Sequence, residues 1–420
     1  MKLAFIVGRN AYFKFYGPVI EAALQRGWEV ECWLRLAKSS KGPKAYLNPT
    51  LNDVPTFRYG SVKVRRYVEK HDCLELIAES SINAVVSIHH KHFYFSEPTP
   101  NCRFVTLQHG LDGFVVAAPN SLASSDLLCF YTPFWIEWAA SYYAASEQCN
   151  PQQFRCLLQN KIVYTGFPQL DVISQIDPAT VRRRWDIPLE QPVVLLLPIT
   201  LANKPGAWPR FFAARGRLQQ TIELVIGGIL DWNLIGQYRS WSTGGWNDHS
   251  LTEAIRRFCD HNGAYLIAKG RLKDPIRPHL LAAADKALYD DSYYPATVLE
   301  AMSIADLCIH FYSTAALEAA YAGVYGLCVH RPSPRVKARA EAPIYHQLWR
   351  TNWPGSAYNY EGVNRWMTIP QVITELPGMS LADFQLDSEA RVKYLTKYVG
   401  PADGNASQRV LDAISERVEQ

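Results

Sequence analysis

The sequence predicts an α/β protein of two doubly wound halves facing a cleft, and three observations carry that reading. Apolar runs of strand length recur along the 420 residues, rich in Val, Ile and Leu, with little alternation between apolar and polar positions. Such runs fit a parallel sheet covered on both faces, because a sheet with one wet face would alternate. Segments with helical spacing lie between the runs, as parallel strands require crossover connections. A polar stretch at 174–191 then divides the series in two. Hydrophobic residues at 48% against 20% charged supply the apolar surface for two cores.

The first half opens with LAFIV (3–7), which ends in the glycine turn Gly8, Arg9, Asn10. PVIEAALQRG (18–27) places Val19, Ala22, Ala23 and Leu24 on one side of a helix that stops at Gly27, and WEVECWL (28–34) is the next strand. Strand, glycine turn, helix and strand make a βαβ unit. A helix around 70–80, NAVVSI (83–88), RFVTL (103–107), DLLCFY (126–131), the aromatic helix PFWIEWAASYY and KIVYTG (161–166) continue the pattern. The second half runs through PVVLLLP (192–198), a helix near 250–261, AYLIAKG (264–270), KALYDD (286–291), DLCIHF (306–311), the helix LEAAYAG (317–323) and YGLCVH (325–330). Residues 199–250, rich in Trp, Gly and Arg, are read as an excursion over the cleft, and SQRVLDAISERV (407–418) as an amphipathic helix.

Charge and cysteine usage exclude several classes. The net charge of +4 is small for this length and no run of five basic residues occurs, which argues against a nucleic-acid partner. Nine cysteines lie scattered, mostly in apolar runs and without a CxxC pair, as expected of reduced, buried thiols. The first apolar run is too short for a signal peptide, and no stretch approaches the length of a membrane span. The expected location is cytoplasmic, with peripheral association at the inner face of the membrane left open.

Ligands of doubly wound sheets bind beyond the carboxyl ends of the strands, so candidate residues are those that follow strands. In FYSTAALEAAYAG (311–323), Ser313 and Thr314 stand at a helix start, where unpaired N–H groups and the positive end of the helix dipole suit phosphate oxygens. Glu318, one turn further, accepts hydrogen bonds from a diol such as ribose. The plainer alternative is an ordinary helix cap with an exposed glutamate. In IAKGRLKDP (267–275), Lys269, Arg271 and Lys273 alternate along one side of an extended chain and would neutralise a diphosphate without a metal. This strand is expected to neighbour the one ending at Phe311. Tyr293 and Tyr294 offer stacking faces for a nucleobase, with the backbone around Pro295 along its edge.

In the first half, Gly8, Arg9 and Asn10 lack a GxGxxG fingerprint, so a dinucleotide site is not supported. HHKH (89–92) follows a strand without the Cys or carboxylate spacing of a zinc site, so His89 and His90 are read as the polar rim of a cleft, and no metal is expected. VTLQHGLDG (105–113) places His109 and Asp112 where a strand gives way to a loop. A histidine of near-neutral pKa there can take a proton from a hydroxyl nucleophile, or be satisfied by loop backbone.

The paired halves, the QHG after a first-half strand, TGFPQLD (165–171) at the junction, FYSTAALEAAYAGV (311–324) and the ending KYVGPADGNASQRVLDAI (397–414) resemble GT-B glycosyltransferases. Within that fold the sequence is most similar to the CDP-glycerol glycerophosphotransferase and UDP-GlcNAc 2-epimerase-like groups. The resemblance implies an acceptor-binding Rossmann-like domain at 1–173, a donor-binding one at 174–396 and a terminal helix, 397–420, packed back on the first domain. It implies metal-independent transfer of a sugar, or sugar-like group, from a nucleotide-activated donor to a hydroxyl of a glycan or lipid-linked glycan in surface polysaccharide synthesis. The nucleotide-sugar is then a substrate and no cofactor is needed. His109 or Asp112 would be the base, with donor phosphates on Lys269, Arg271, Ser313 and Thr314 and the ribose on Glu318. A 2-epimerase or glycerophosphotransferase of the same fold, and a non-catalytic glycan- or nucleotide-binding protein, are the alternatives. Two departures separate the chain from both groups. Lys269-Gly270-Arg271 stands where a His-Pro is found in one, and Ser313-Thr314-Ala315 where a Ser-Gly-Gly is found in the other.

Overall fold

The computed structural model describes residues 1–36, 54–110, 118–145, 148–198, 248–270, 276, 278–289, 293–311, 313–330 and 354–419. Asp112, Arg271, Lys273 and nearly all of the 199–250 excursion lie outside the described residues.

The first sheet has seven strands, all parallel: β1 (Lys2–Val7), β2 (Glu29–Arg35), β3 (Lys63–Tyr67), β4 (Ala84–Ser87), β5 (Arg103–Leu107), β6 (Leu127–Phe130) and β7 (Ile162–Tyr164). Their order is β3-β2-β1-β4-β5-β6-β7. The second has six, also parallel: β8 (Val193–Leu196), β9 (Tyr265–Gly270), β10 (Lys286–Tyr289), β11 (Leu307–His310), β12 (Tyr325–His330) and β13 (Asn364–Thr368), in the order β10-β9-β8-β11-β12-β13. Both are doubly wound, and the near-continuous apolar runs are their central strands. β1, β4, β8 and β11 are buried at almost every position, as helices on both faces demand.

The sequence reading lacks two strands, β3 and β13, and both are at sheet edges. β3 reads KVRRY and has no apolar run. Its charge has a partner inside the sheet: Glu31 of β2 is buried and bonds Arg65 at 2.9 Å, Lys2 at 3.0 Å and Lys63 at 3.5 Å. A buried carboxylate requires such counter-charge, so β3 joins through electrostatics and ladder bonds. β13 pairs with β12 where Gly326 leaves room for Asn364, whose Oδ1 would be 1.7 Å from a Cβ at that position.

The first helix, α1 (Phe13–Gln25), begins five residues before the segment read from the sequence. Phe13 and Tyr16 are buried and extend its apolar face, while Pro18 sits inside the helix and leaves one bond unmade. Gly17 has a tertiary reason: the ring of Tyr294, from the second domain, lies against it, and a Cβ would be 2.1 Å from Tyr294 Cδ2.

The end of the chain returns to the first domain. Helix α2 (Pro133–Ala145) buries its aromatic residues against α5 (Ser388–Tyr398), where Trp135 donates to the Tyr398 carbonyl at 2.9 Å and Thr132 to that of Lys397 at 2.6 Å. Gly400 then crosses Gly166 so closely that a Cβ on Gly400 would stand 2.7 Å from the other's Cα. Asp171, from the TGFPQLD segment, accepts the N–H groups of Ala406 and Ser407 and caps α6 (Ala406–Glu419). Val410, Leu411 and Ile414 of α6 complete the core under β1, β4 and β5. All nine cysteines are free, and seven of them are buried.

Candidate active site

In each sheet the strand order reverses at one point, between β1 and β4 and between β8 and β11. That is where a doubly wound sheet opens a crevice beyond its carboxyl ends. The residues singled out from the sequence are best placed against these two points.

At the first crevice the turn Gly8, Arg9, Asn10 follows β1, and His89 and His90 follow β4. Buried hydroxyls hold this backbone. Tyr16 Oη accepts from Ile88 N at 2.9 Å and donates to the Ile6 carbonyl at 3.1 Å, and Ser87 Oγ accepts from His89 N at 2.9 Å. The result is a compact ring cluster. Tyr12 Oη is 3.1 Å from His89 Nε2, His89 stacks on Phe93 at 4.1 Å, and His109 stands edge-on to His89 at 5.6 Å and to Phe15 at 6.0 Å. His89 and His109 therefore belong to one site, on adjacent strand ends.

These imidazoles are neutral. Burial pushes His89 down to about 3, aided by the charges of His109 and His90, and pushes His90 down to about 4. His109 is also lowered to about 4 by burial, with a backbone hydrogen bond at Ile88 pulling weakly the other way. Its Nδ1 is buried without a hydrogen-bond partner, as is Nδ1 of His90. A neutral imidazole has one acceptor nitrogen, so His109 and His90 can each take a hydroxyl proton in the fitting tautomer, though a base of low pKa pulls on a proton less strongly than one near neutrality. Among the described residues no group of three or more His, Cys, Asp or Glu is placed to hold a metal ion.

At the second crevice β11 ends in His310, and Ser313 and Thr314 lead into α4 (Ala315–Ala322). Thr314 is the N-cap but makes no capping bond: its Oγ1 donates to Glu318 Oε1 at 3.0 Å, while Ser313 Oγ, one residue earlier, accepts from Ala315 N at 3.2 Å. Glu318 is 1% exposed, and the same oxygen accepts from Lys14 Nζ at 2.7 Å and Gln169 Nε2 at 2.9 Å. Burial raises its carboxyl pKa, but Lys14 and the other donors outweigh that and hold it low. A ribose diol would meet Glu318 only by exchange with these partners. Lys14 lies in the first turn of α1 and Glu318 in the first turn of α4, so this bond joins the carboxyl edges of the two sheets.

Lys269 is the last residue but one of β9, is 9% exposed and donates to the Gly270 carbonyl at 2.7 Å. The expected adjacency to β11 is corrected: β9 pairs with β8 and β10, and β8 lies between it and β11. The first strand of a doubly wound sheet occupies the centre, so Lys269 stands two strand spacings from His310. Tyr294 packs on Gly17 and, at 5.5 Å, on Phe57 of the first domain. With Pro295 it lines a cavity of about 300 Å³ at the junction, together with Glu21, Arg58, Arg184 and Glu300.

Compared by sequence, the chain matches no protein-family model and no curated protein. Compared by structure, it is similar to the wall teichoic acid polymerase TagF over 100% of this chain and 89% of that one, with a TM-score of 0.57 and 12% identity. It is also similar to a putative UDP-N-acetylglucosamine 2-epimerase from Listeria monocytogenes, over 100% and 96% of the two chains, with a TM-score of 0.50 and 11% identity. The chain has the GT-B fold.

In GT-B terms, the N-domain crevice holds Arg9, Tyr12, His89 and His109, and the C-domain crevice holds Ser313, Thr314 and Glu318. The sequence reading missed Lys14, Gln169 and His310. Gln169 was within reach, because it sits inside the quoted TGFPQLD segment. Lys14 and Glu318 are 304 positions apart, and no local pattern links them. His310 ends an apolar strand; it is 0% exposed and neither ring nitrogen has a hydrogen-bond partner, so burial lowers its pKa to about 4. Among the described residues, no helix is long and apolar enough to cross a membrane.

Proposed function

We propose that this protein transfers a sugar, or a sugar-like group, from a nucleotide-activated donor to a hydroxyl acceptor. One observation carries the reading. The Lys14–Glu318 bond ties the first turn of α4, at one switch point, to the start of α1, where Phe15 stands edge-on to His109 of the neutral histidine cluster at the other. A helix start with two hydroxyl side chains suits a departing diphosphate, and unprotonated imidazoles suit an incoming hydroxyl. The likeness to TagF and to the Listeria protein supports the layout.

In this mechanism the acceptor lies in the N-domain crevice and His109, or Asp112, takes its proton as oxygen attacks the activated carbon. The electron pair of the broken bond leaves with the diphosphate, which Ser313, Thr314, Lys269 and Arg271 stabilise without a metal. The nucleobase lies at Tyr293, Tyr294 and Pro295, and ribose binding at Glu318 proceeds by displacing Lys14. Gly8, Arg9, Asn10, His89 and His90 border the acceptor.

Thermal unfolding with UDP, GDP, CMP, CDP and ADP tests the donor site, since a ligand bound only by the native state raises apparent stability. At least one nucleotide should raise the midpoint, and His109→Ala should keep that rise while losing at least 100-fold in transfer rate. No rise with any nucleotide refutes the donor site, and undiminished transfer by His109→Ala moves the base to another group. Free UDP and an epimerised sugar formed from UDP-GlcNAc without acceptor would favour the epimerase instead.

A further inference from the structure

The carboxyl edge of the N-domain sheet carries a row of cations that the donor reading does not use. The order β3-β2-β1-β4 sets four strand ends side by side. Lys70 follows β3, Arg35 ends β2, Arg9 follows β1 and His89 follows β4. Register fixes their level: Arg35 is opposite Tyr67, and Leu34 is opposite Val7, so Arg35 and the Gly8–Arg9 turn adjoin. Neighbouring strands lie about 4.8 Å apart, so the three strand ends that carry these cations span on the order of 10 Å.

The row reaches the histidine cluster. Lys70 Nζ is 3.2 Å from the centre of the Phe93 ring, which stacks on His89. The charges of Arg9 and Arg35 act on Tyr12, and those of Lys70 and Arg9 on His89. Lys70 and Arg35 are partly buried, and the pKa of Lys70 is lowered by burial and by Arg35. Among the described residues none of the three is in an ion pair. The nearby carboxylate of Asp72 accepts from the N–H groups of Val68 and Glu69 instead. Like charges gathered beside apolar rings, with no ion pair among the described residues, repel one another, a cost that a bound anion removes.

We propose that Arg9, Arg35 and Lys70 form a phosphate subsite, and that the acceptor carries a phosphate group held there while its hydroxyl lies against His89 and His109. This rests on the acceptor side of the proposed function. Two guanidinium forks and an ammonium match the several oxygens and double charge of a phosphate better than a single carboxylate. The donor diphosphate belongs at α4, across the Lys14–Glu318 bond.

Calorimetric titration of the full chain at constant ionic strength tests this, with glucose 6-phosphate, inorganic phosphate, glucose, glucuronate and the nucleotides of the donor panel as probes. The native protein should bind both phosphates, glucuronate more weakly and glucose not at all. Arg35→Gln with Lys70→Gln should lose at least tenfold in affinity for the phosphates and keep nucleotide affinity within about twofold. Arg35→Lys, which keeps the charge, should retain much of the phosphate affinity and shows that the site survives substitution. Equal phosphate binding by native and doubly substituted protein, or equal binding of glucuronate and glucose 6-phosphate, overturns the subsite. A parallel loss of nucleotide affinity assigns the row to the donor and also overturns it. Phosphate binding lost on substitution, with no nucleotide bound by either protein, supports the subsite and refutes the donor reading.

Discussion

Replacing Lys14 by methionine isolates the ion pair that joins the two domains. Methionine keeps most of the stem volume and deletes the ammonium, so charge and one hydrogen bond are lost rather than packing. The pair is 2.7 Å apart, with side chains 20% exposed for Lys14 and 2% for Glu318. Removing one partner of a buried pair strands the other charge, at about 3–5 kcal/mol. Gln169 and Thr314 go on donating to the same oxygen, and Lys14 has some contact with water, so the expected loss is about 2–3 kcal/mol. Glu318→Gln should cost less, because the freed ammonium can turn to solvent. The double variant should then be more stable than the two single losses add up to, by on the order of 1–2 kcal/mol of coupling. The exposed pair Lys393–Glu389, with side chains 65% and 78% exposed, is the control, and Lys393→Met should cost under about 0.5 kcal/mol. Urea unfolding followed by tryptophan fluorescence and circular dichroism reads these differences. The pH dependence supplies a second sign. In the native protein Glu318 is held below its ordinary pKa of 4.5, so its stabilisation is present above that value and fades as pH falls through the lowered one. Without Lys14, burial dominates and the pKa rises, so acidification from pH 7 to 5 should narrow the deficit of the variant. A Lys14→Met protein that unfolds at the same urea concentration as Lys393→Met would refute the reasoning.

Acid should weaken the fold well above the carboxylate range. His310 is wholly buried with a pKa lowered from 6.5 to about 4, so below pH 6.5 the unfolded chain takes a proton that the native state refuses, and this residue alone removes about 2 kcal/mol by pH 5. Urea midpoints should fall steadily between pH 7 and 5 and fall less in His310→Gln; a flat native profile would contradict the assignment. At the crossing of the chain's last segment with the domain junction, Gly400 has φ +96 and no room for a Cβ, whereas Gly263 has φ +60 and nothing within 4 Å. Gly400→Ala should therefore cost about 2–4 kcal/mol and Gly263→Ala about 1 kcal/mol by the same unfolding measurement; equal losses would remove the steric argument.

The sequence by itself determined which segments are strands of buried sheets, because continuous Val, Ile and Leu runs such as LAFIV and DLCIHF suit only strands covered on both faces. It also placed the candidate residues after those strands, since turn glycines and helix starts leave local marks. Periodicity and burial are properties of a short window, so they can be read from one. Lateral order is not. β9 is separated from β11 by β8, and the edge strands β3 and β13 join through a buried Glu31 and a gap at Gly326 that no window displays. Only the tertiary structure decided that Lys14 meets Glu318, that Tyr12, His89 and His109 share one cluster, and that Arg9, Arg35 and Lys70 form one row. Those contacts join residues tens to hundreds of positions apart, and they are set by how crossover helices stack strands and how two sheets turn their carboxyl edges toward each other.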